Sequence, residues 1–273
     1  MIFLDFVKHS KGCLFILLSG ALVISCSESS QQQLVFGENK VDTLNYLNDI
    51  DNKIYVPLKI NDSVYNFLFD TGASSTLIDS KIKISRESNN TQKILGFYSE
   101  QREAKKVWPE QITIGNTQFL NFSDCLQTDL TFPGFLGNNL LNKLCWSLDF
   151  VNQKVYVTED VHNLYRDLSN GIPFELINNT VHIKGVVEGV ELPILIDTGD
   201  SGASIKINKR FLDENRKNNI IQWSSIISSN YSYKQNLDDL EETSFETIGN
   251  ITLGDEVYQD ELIHMFLIEL KLP

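Results

Sequence analysis

The chain of 273 residues is long enough for one large domain or two small ones, and 42% hydrophobic residues are sufficient for packed cores. The many Ile, Val, Phe, Tyr and Thr residues favour strands over helices, so we expect a mainly β protein. The net charge of −13 argues against binding to nucleic acid, because phosphate recognition requires clustered Lys and Arg.

The N-terminal segment has the pattern of an export signal. Two lysines precede an apolar run over residues 13–24, and "LVISC", ending at Cys26, resembles the cleavage box of bacterial lipoproteins. We therefore predict a signal peptide over residues 1–25, a lipidated Cys26, and a Ser- and Gln-rich solvated tether over residues 26–50. An ordinary signal peptide or an N-terminal anchor is the alternative.

The next segment reads as a β-hairpin that ends in an acidic turn. The sequence "IYVPLKINDSVYNFLFDTG" begins at Ile54 and predicts two strands joined by a tight turn at Asn61 and Asp62. The Asp-Thr-Gly motif that closes it begins with Asp70. A lone Asp-Thr-Gly is a common turn, so this copy by itself carries no function.

A different pattern of strand and helix signals follows in "FPGFLGNNLLNKLCWSLDFVNQKVYV". Two apolar residues and a glycine end at Gly137, and a short helical turn is predicted from Asn139 to Leu144. A hairpin with its turn at Asn152 and Gln153 comes next.

The remainder of the chain repeats the first pattern. "VHIKGVVEGVELPILIDTG" begins at Val181, has its turn at Glu188 and Gly189, and places a second Asp-Thr-Gly at Asp197, 127 residues after Asp70 (197 − 70). Farther on, "ITIGNTQF" and "ITLGDEVY" match at an offset of 139 residues (251 − 112), so the second copy has 12 additional residues (139 − 127). We assign them to the polar run "SSNYSYKQNLDDLEET". Two copies inside a longer repeat indicate a paired site.

These motifs resemble the retropepsin-like aspartic proteases, which include retroviral proteases and, in duplicated form, pepsin-like enzymes. The resemblance implies two tandem β-barrel lobes related by a pseudo-twofold axis, here the first repeat (residues 51–160) and the second repeat (residues 161–273). It also implies that Asp70 and Asp197 form a catalytic pair at the bottom of a cleft, with both aspartates on one monomeric chain.

The resemblance further implies how the two aspartate loops are supported. The strand ending at Gly137 would support the Asp70 loop, and Thr71 and Thr198 would hydrogen-bond across the junction between the lobes. Small residues also have a physical reason here, because close backbone approach excludes a Cβ and hydroxyls can satisfy loop groups. The residues concerned are Gly72, Gly199, Ser74 and Ser201.

A cleft also needs a cover that orders the substrate and excludes water. The segment "ILGFYSEQREAKKVWPEQITI" has the family position of this flap, with Gly96 as a flexible point and Phe97 or Tyr98 near the tip. An exposed charged hairpin with no role in substrate binding is the alternative.

The chemistry expected of this pair is acid–base hydrolysis of a peptide bond. Two adjacent carboxylates share one proton, so the ionised one can activate a water while the protonated one donates to the scissile carbonyl oxygen. We therefore predict a peptide or protein substrate, no metal and no cofactor. Ser80 and Lys83 have the Ser-x-x-Lys spacing of another enzyme class, but the Lys-Thr-Gly motif that accompanies it does not follow.

Two features depart from the family pattern. Asp200 places a third carboxylate beside the pair, which raises the proton affinity of the site unless the side chain faces solvent. In addition, the apolar-apolar-Gly strand that the repeat predicts would follow Leu272 and Pro273, where the sequence stops. Truncation, completion from elsewhere and degeneracy of the site are the three explanations, and the last would favour a peptide-binding module over an enzyme.

The cysteines leave one further alternative open. Cys125 and Cys145 could pair in an exported protein, or could remain buried thiols.

Lipidation at Cys26 is directly testable. We expect mass spectrometry of the mature N-terminal peptide to find residues 1–25 absent and Cys26 carrying lipid, and we expect the protein in the membrane fraction of the cell envelope. An unmodified Cys26 in a protein recovered entirely in the soluble fraction would contradict the anchor.

Overall fold

The computed structural model describes most of the chain between residues 32 and 270. The described ranges are residues 32–38, 40–49, 53–95, 101–166, 171–187, 189–200, 205–208, 226–233 and 240–270. Within them the protein is mainly β, as predicted, with one short α-helix and one 3-10 segment. None of the helices in these ranges has the length and apolar character needed to cross a membrane.

The described residues from 33 to 163, which include those of the first repeat, form fourteen strands, one α-helix and one 3-10 segment. The elements are β1 (Gln33–Val35), β2 (Asp42–Asn45), β3 (Leu47–Asn48), β4 (Ile54–Ile60), β5 (Ser63–Phe69), β6 (Thr76–Asp79), β7 (Glu87–Leu95), β8 (Gln101–Val107), β9 (Gln111–Ile114), β10 (Thr117–Leu120), β11 (Cys125–Thr128), β12 (Gly134–Leu136), α1 (Asn138–Leu141), β13 (Cys145–Asp149), β14 (Lys154–Thr158) and the 3-10 segment Val161–Asn163. A large sheet has the order β1-β10-β9-β4-β5-β12-β6-β11-β8-β7, with β3 also on β4, and a small sheet has the order β13-β14-β2.

The second repeat forms a separate sheet. Its strands are β15 (Phe174–Ile177), β16 (Thr180–Val187), β17 (Val190–Leu195), β18 (Ile205–Asn208), β19 (Ile226–Tyr233), β20 (Leu240–Leu253) and β21 (Glu256–Leu270). They are ordered β15-β16-β20-β21-β18, with β17 on β16 and β19 on β20.

The core of the first repeat follows from the alternation of its strands. Successive side chains of a strand point to opposite faces, and β4 buries every second residue of "IYVPLKI". Phe69, at the end of β5, packs edge-to-face on Trp146 with ring centroids 5.3 Å apart. The Trp146 indole N–H donates to the Leu141 carbonyl at 2.8 Å, which ties helix α1 to this core.

Turn geometry confirms several predicted features of the repeat. The β4–β5 hairpin turns at Asn61 and Asp62, with Ile60 opposite Ser63, and the β16–β17 hairpin turns through Gly189. The Gly-Asn turn at Gly115 and the Gly-Asp turn at Gly254, which are 139 residues apart, have the same backbone conformation, because both glycines have a φ of +59°. The parallel pairing of β6 with β11 has its counterpart in the parallel pairing of β18 with β21.

Strand β12 is inserted between β5 and β6 and carries the start of helix α1 to the aspartate loop. Phe135 and Leu136 pair in parallel with Leu68 and Phe69 of β5, while Gly134 and Phe135 pair antiparallel with β6. Because β5 ends at Phe69, the end of β12 lies directly beside Asp70.

Other predictions need correction. The solvated tether was assigned to residues 26–50, but residues 33–48 contain three strands that pair with β10, β14 and β4. Distant strands order this segment, so its own composition did not reveal it. The helical turn predicted from Asn139 to Leu144 is helix Asn138–Leu141, and the predicted turn at Asn152 and Gln153 occupies residues 150–153.

Cys125 and Cys145 do not form a disulfide with one another. Both are buried, and burial together with the neighbouring Asp124 carboxylate raises the pKa of the Cys125 thiol far above its usual value. The Cys145 thiol donates to the Glu159 carbonyl at 3.7 Å. Both cysteines are therefore buried thiols inside the first repeat.

The packing of β12 generates a stability prediction. A Cβ at Gly137 would lie 2.4 Å from the Ser75 carbonyl carbon and oxygen, so Gly137→Ala should cost about 1–3 kcal/mol in the free energy of unfolding measured with urea. Gly189→Asn is the control, because nothing lies within 4 Å of a Cβ there and Asn tolerates its φ of +81°. Equal stability of the two variants would contradict this packing.

Candidate active site

The Asp70 loop is a tight turn closed by its own carboxylate. Asp70 Oδ1 accepts hydrogen bonds from the backbone N–H groups of Gly72 and Ala73, both at 2.9 Å. This is Asx-type turn chemistry, in which a side-chain oxygen replaces a backbone acceptor. Asp70 is 8% exposed, so the loop presents a largely desolvated carboxylate.

The start of helix α1 holds this loop from behind. The backbone N–H of Asp70 donates to the Leu136 carbonyl at 3.2 Å, and the Asn138 N–H donates to the Ala73 carbonyl at 2.8 Å. The side-chain amide of Asn138 donates to the carbonyls of Thr71 at 2.6 Å and Ala73 at 3.1 Å. Asn138 is 2% exposed, so these bonds satisfy loop carbonyls that water does not reach.

Asn138 is a site residue that sequence reasoning missed. Its only signal was its place directly after the apolar-apolar-Gly step at the beginning of a predicted helix. The next residue, Asn139, accepts from the N–H and hydroxyl of Thr76 at 2.7 and 2.8 Å. Gly137 itself donates its N–H to the Thr76 hydroxyl at 3.2 Å. Two asparagines and a glycine therefore connect helix α1 to both ends of the loop.

The Asp197 loop repeats the local geometry. The backbone N–H of Gly199 donates to Asp197 Oδ1 at 2.9 Å, as Gly72 does to Asp70. Asp197 is half-buried, whereas Asp70 is buried. The predicted support residue Ser201 lies outside the described residues. Ser74, its counterpart, is exposed and contributes its carbonyl, which accepts from the Asn139 N–H at 3.2 Å.

Reciprocal hydrogen bonds join the two loops. The Thr71 N–H donates to the Thr198 hydroxyl at 3.1 Å, and the Thr198 N–H donates to the Thr71 hydroxyl at 3.1 Å. Each hydroxyl in turn donates to a carbonyl of the other repeat, Thr71 to Ile196 at 2.5 Å and Thr198 to Phe69 at 2.6 Å. Exchanging the two repeats reproduces this set of bonds, so the loops meet with twofold symmetry.

This junction brings the two carboxylates together. A Cβ on Gly72 would lie 2.5 Å from Cγ of Asp197, and a Cβ on Gly199 would lie 2.5 Å from Cγ of Asp70. Each glycine thus makes room for the carboxylate of the opposite loop. The two carboxylates are therefore close enough to interact directly, and a hydrogen bond between them requires that the pair carry a proton.

The electrostatics of the pair favour a shared proton. Burial, followed by repulsion from Asp197, raises the pKa of Asp70 from 3.8 to about 7, against the opposing effect of the N–H donors of Ala73 and Gly72. Burial is also the largest cause of the raised pKa of Asp197. Because the two groups are coupled, these shifts describe the pair.

Asp200 adds negative charge on one side of the site. It occupies the position of Ala73 in the first loop and is half-buried, so it does not lie fully in solvent. Repulsion from Asp200 raises the pKa of Asp197, while the Asp200 backbone N–H lowers it by donating to the Asp197 carboxylate. The third carboxylate therefore breaks the symmetry of the pair.

Strands β7 and β8 form a hairpin at the predicted flap. Leu95 pairs with Gln101, and the tip between them, which includes Gly96, Phe97 and Tyr98, lies outside the described residues. Strands β19 and β20 form the corresponding hairpin of the second repeat, and they contain much of the polar insertion. Over the described part of the chain, no group of three or more His, Cys, Asp or Glu side chains is arranged to hold a metal ion.

Comparisons with known proteins found similarities over parts of this chain. Residues 56–140 match the family model described as aspartyl protease. A retropepsin-like aspartic protease from Rickettsia conorii, solved by crystallography, is similar over 46% of this chain and 92% of its own, with 16% identity and a TM-score of 0.31. No curated protein matches the chain.

The family match covers the parts that build the first aspartate loop. Residues 56–140 include most of β4, all of β5, Asp70, β12 and the Asn138 support. The aspartyl protease model therefore matches the segment in which the Asp70 carboxylate is positioned.

Proposed function

We propose that the protein is an aspartic endopeptidase that hydrolyses peptide bonds with a water activated between Asp70 and Asp197. The observation that carries this proposal is the close pair of carboxylates, Asp70 buried and Asp197 half-buried, each facing the glycine of the opposite loop. A pair held only for stability would be better replaced by apolar groups, because burying two carboxylates costs free energy.

The proton held by the pair supplies both the acid and the base. The ionised carboxylate takes a proton from the bound water, and the oxygen of that water attacks the scissile carbonyl carbon. The protonated carboxylate gives its proton to the carbonyl oxygen, so a neutral diol forms and the pair still holds one proton. Transfer of a proton to the leaving nitrogen and collapse of the diol break the C–N bond and release an amine and a carboxylic acid.

The rigid junction explains how the water could be held at a fixed position between the two carboxylates. The reciprocal Thr71 and Thr198 bonds leave the loops little freedom to separate, and Asn138 fixes the Asp70 loop from the other side. Such preorganisation lowers the barrier, since the reacting groups need not be ordered during the reaction. Hairpin β7–β8 would act as the flap over an extended peptide.

The proposal extends to location and partners. An exported protein held at Cys26 would act on peptides or proteins in the bacterial cell envelope. Support for this comes from the sequence of the N-terminal segment, because Cys26 lies outside the described residues.

Replacement of either aspartate tests the reaction. Asp70→Asn and Asp197→Asn should each lower kcat/KM for a cleaved peptide by about 10²- to 10⁴-fold, because each removes one partner of the proton transfer. The double variant should lose little more, since the pair acts as a unit. A peptide library screened between about pH 3 and 7 identifies the substrate. Asp62→Asn, exposed in the β4–β5 turn, is the matched control.

The same variants distinguish an enzyme from a peptide-binding module. Asn is nearly isosteric with Asp, so binding of a hydroxyl-containing peptide that mimics the diol should remain measurable in both variants. Cleavage that persists in both Asn variants, or a wild-type protein that binds peptides and never cuts them, would refute the peptidase.

The pH dependence carries a second prediction. Activity should fall as the pH rises through about 7, because the pair then loses its shared proton. Asp200→Ala should move this fall to lower pH, since removing a nearby negative charge lowers the pKa of Asp197. Asp200→Glu keeps the charge and is the control. An identical profile of kcat/KM against pH in all three proteins would mean that Asp200 does not influence the pair.

A further inference from the structure

A second contact between the two repeats lies near the threonine junction. The side-chain amide of Asn179, in the second repeat, donates to the Ser74 carbonyl of the first aspartate loop. The same carbonyl accepts from the Asn139 N–H of helix α1 at 3.2 Å. The first aspartate loop is therefore bonded to the second repeat at two places, at Thr71 and at Ser74.

Asn179 belongs to the tight turn between β15 and β16. Ile177 pairs with Thr180 across this turn, and the Thr180 hydroxyl donates to the Ile177 carbonyl at 2.7 Å. The two central residues, Asn178 and Asn179, have φ of +51° and +63°, a conformation in which asparagine is favoured. Asn178 is exposed, whereas Asn179 is half-buried. Turn geometry thus explains both asparagines, and the contact with the first repeat explains the burial of Asn179.

Helix α1 orients the Asn179 side chain. Asn142, directly after the helix, donates from its side-chain amide to Oδ1 of Asn179 at 3.3 Å. Among the described residues, the buried Oδ1 of Asn142 has no hydrogen-bond partner. A buried polar atom in this state is unfavourable, so a polar side chain here needs a compensating role. Its amide supplies one, because engaging Oδ1 of Asn179 leaves the Asn179 nitrogen directed at Ser74.

The contact at Asn179 is connected to the second aspartate by a short path. Val181, two residues after Asn179, accepts a hydrogen bond from the Ile196 N–H at 2.9 Å. Ile196 directly precedes Asp197 in the chain. A displacement of the turn is therefore passed to the second aspartate through one backbone hydrogen bond.

The two contacts restrict different movements of the loops. The reciprocal bonds of Thr71 and Thr198 keep the loops from separating, but they all lie at one junction. Bonds at a single junction oppose rotation of one loop against the other less than they oppose separation. The bond from Asn179 is made three residues beyond Thr71, at Ser74, so it supplies a second fixed point that opposes this rotation.

We propose that Asn179 is a positioning residue for the reaction: its amide, held by Asn142 and bonded to the Ser74 carbonyl, fixes the orientation of the Asp70 carboxylate toward Asp197. The inference rests on the proposed function, because the alignment of the two carboxylates matters most for the transfer of their shared proton. Without this amide the loops still meet through the threonines, but the carboxylates turn out of alignment and hold the attacking water less well.

Replacement of Asn179 by glycine tests this role. Asn179→Gly removes the amide without backbone strain, because glycine readily adopts a φ of +63°. Asn178→Gly is the matched control, since it alters the same turn at a second position of positive φ, adds the same freedom to the unfolded chain and leaves the Ser74 contact in place. Urea unfolding of the whole protein checks that both variants are folded.

The titration of the pair is the first readout, followed by NMR of isotope-labelled aspartate carboxyl groups. Two groups that share a proton have well-separated apparent pKa values. Misalignment weakens the sharing in the singly protonated pair and the repulsion in the doubly ionised pair. In Asn179→Gly the lower apparent pKa should therefore rise and the upper one should fall, while Asn178→Gly should titrate like the wild type. Asp200, the other charged group that acts on Asp70 and Asp197, is the same in all three proteins.

The kinetics of a cleaved peptide are the second readout. Asn179→Gly should lower kcat by about tenfold, because small misplacements of reacting groups slow the chemical step. KM should stay nearly unchanged, since the binding surface for the peptide is not altered. The profile of kcat/KM against pH should narrow from both sides, in step with the converging pKa values.

A second variant removes the support of the amide and leaves the turn intact. Asn142→Ala deletes the donor to Oδ1 of Asn179, so its side chain is oriented less firmly toward Ser74. The two apparent pKa values should converge in the same direction as in Asn179→Gly, by a smaller amount. If Asn179→Gly does not fold, an unchanged titration of Asn142→Ala overturns the proposal.

The outcomes separate this inference from the proposed peptidase. A folded Asn179→Gly with the titration and kcat of the wild type would overturn the positioning role. Equal changes in both glycine variants would also overturn it, because they would follow from a looser turn. Converging pKa values in a protein whose wild type never cleaves a peptide would support the positioning of the pair and refute the peptidase.

Discussion

The reciprocal hydrogen bonds of Thr71 and Thr198 are the constraint on which the site depends. Each threonine occupies the position after an aspartate, so fixing the threonines also fixes the separation of the carboxylates. The bonds lie at a junction where Thr71 is 1% exposed, so water does not compete for them. The raised pKa of both aspartates is a consequence, since the junction holds two acidic groups together and away from solvent.

Local patterns predicted the elements that local chemistry determines. Alternating apolar residues and turn signals located the hairpins at Asn61 and Gly189. The repeat itself indicated that the two Asp-Thr-Gly motifs belong together. These features depend on neighbours along the chain, which a sequence displays directly.

The features that the sequence did not reveal depend on distant partners. Asn138 binds the Thr71 carbonyl across 67 residues, and its place after the apolar-apolar-Gly step was the only local signal of this role. Strand β1 is ordered by β10, with Gln33 opposite Leu120, so its short mixed sequence resembled a tether. In both cases the stabilising contact forms only once the sheet is assembled, so local composition cannot predict it.

The covalent connection between the two loops has a consequence of its own. Because Asp70 and Asp197 belong to one polypeptide, their encounter is not subject to mass action, and dilution does not separate them. Their loops are also encoded separately, so a substitution in one leaves the other unchanged. Ala73 and Asp200, which occupy matching positions, illustrate this freedom: one half of the pair can acquire a charge that a site built from two identical chains would have to carry twice.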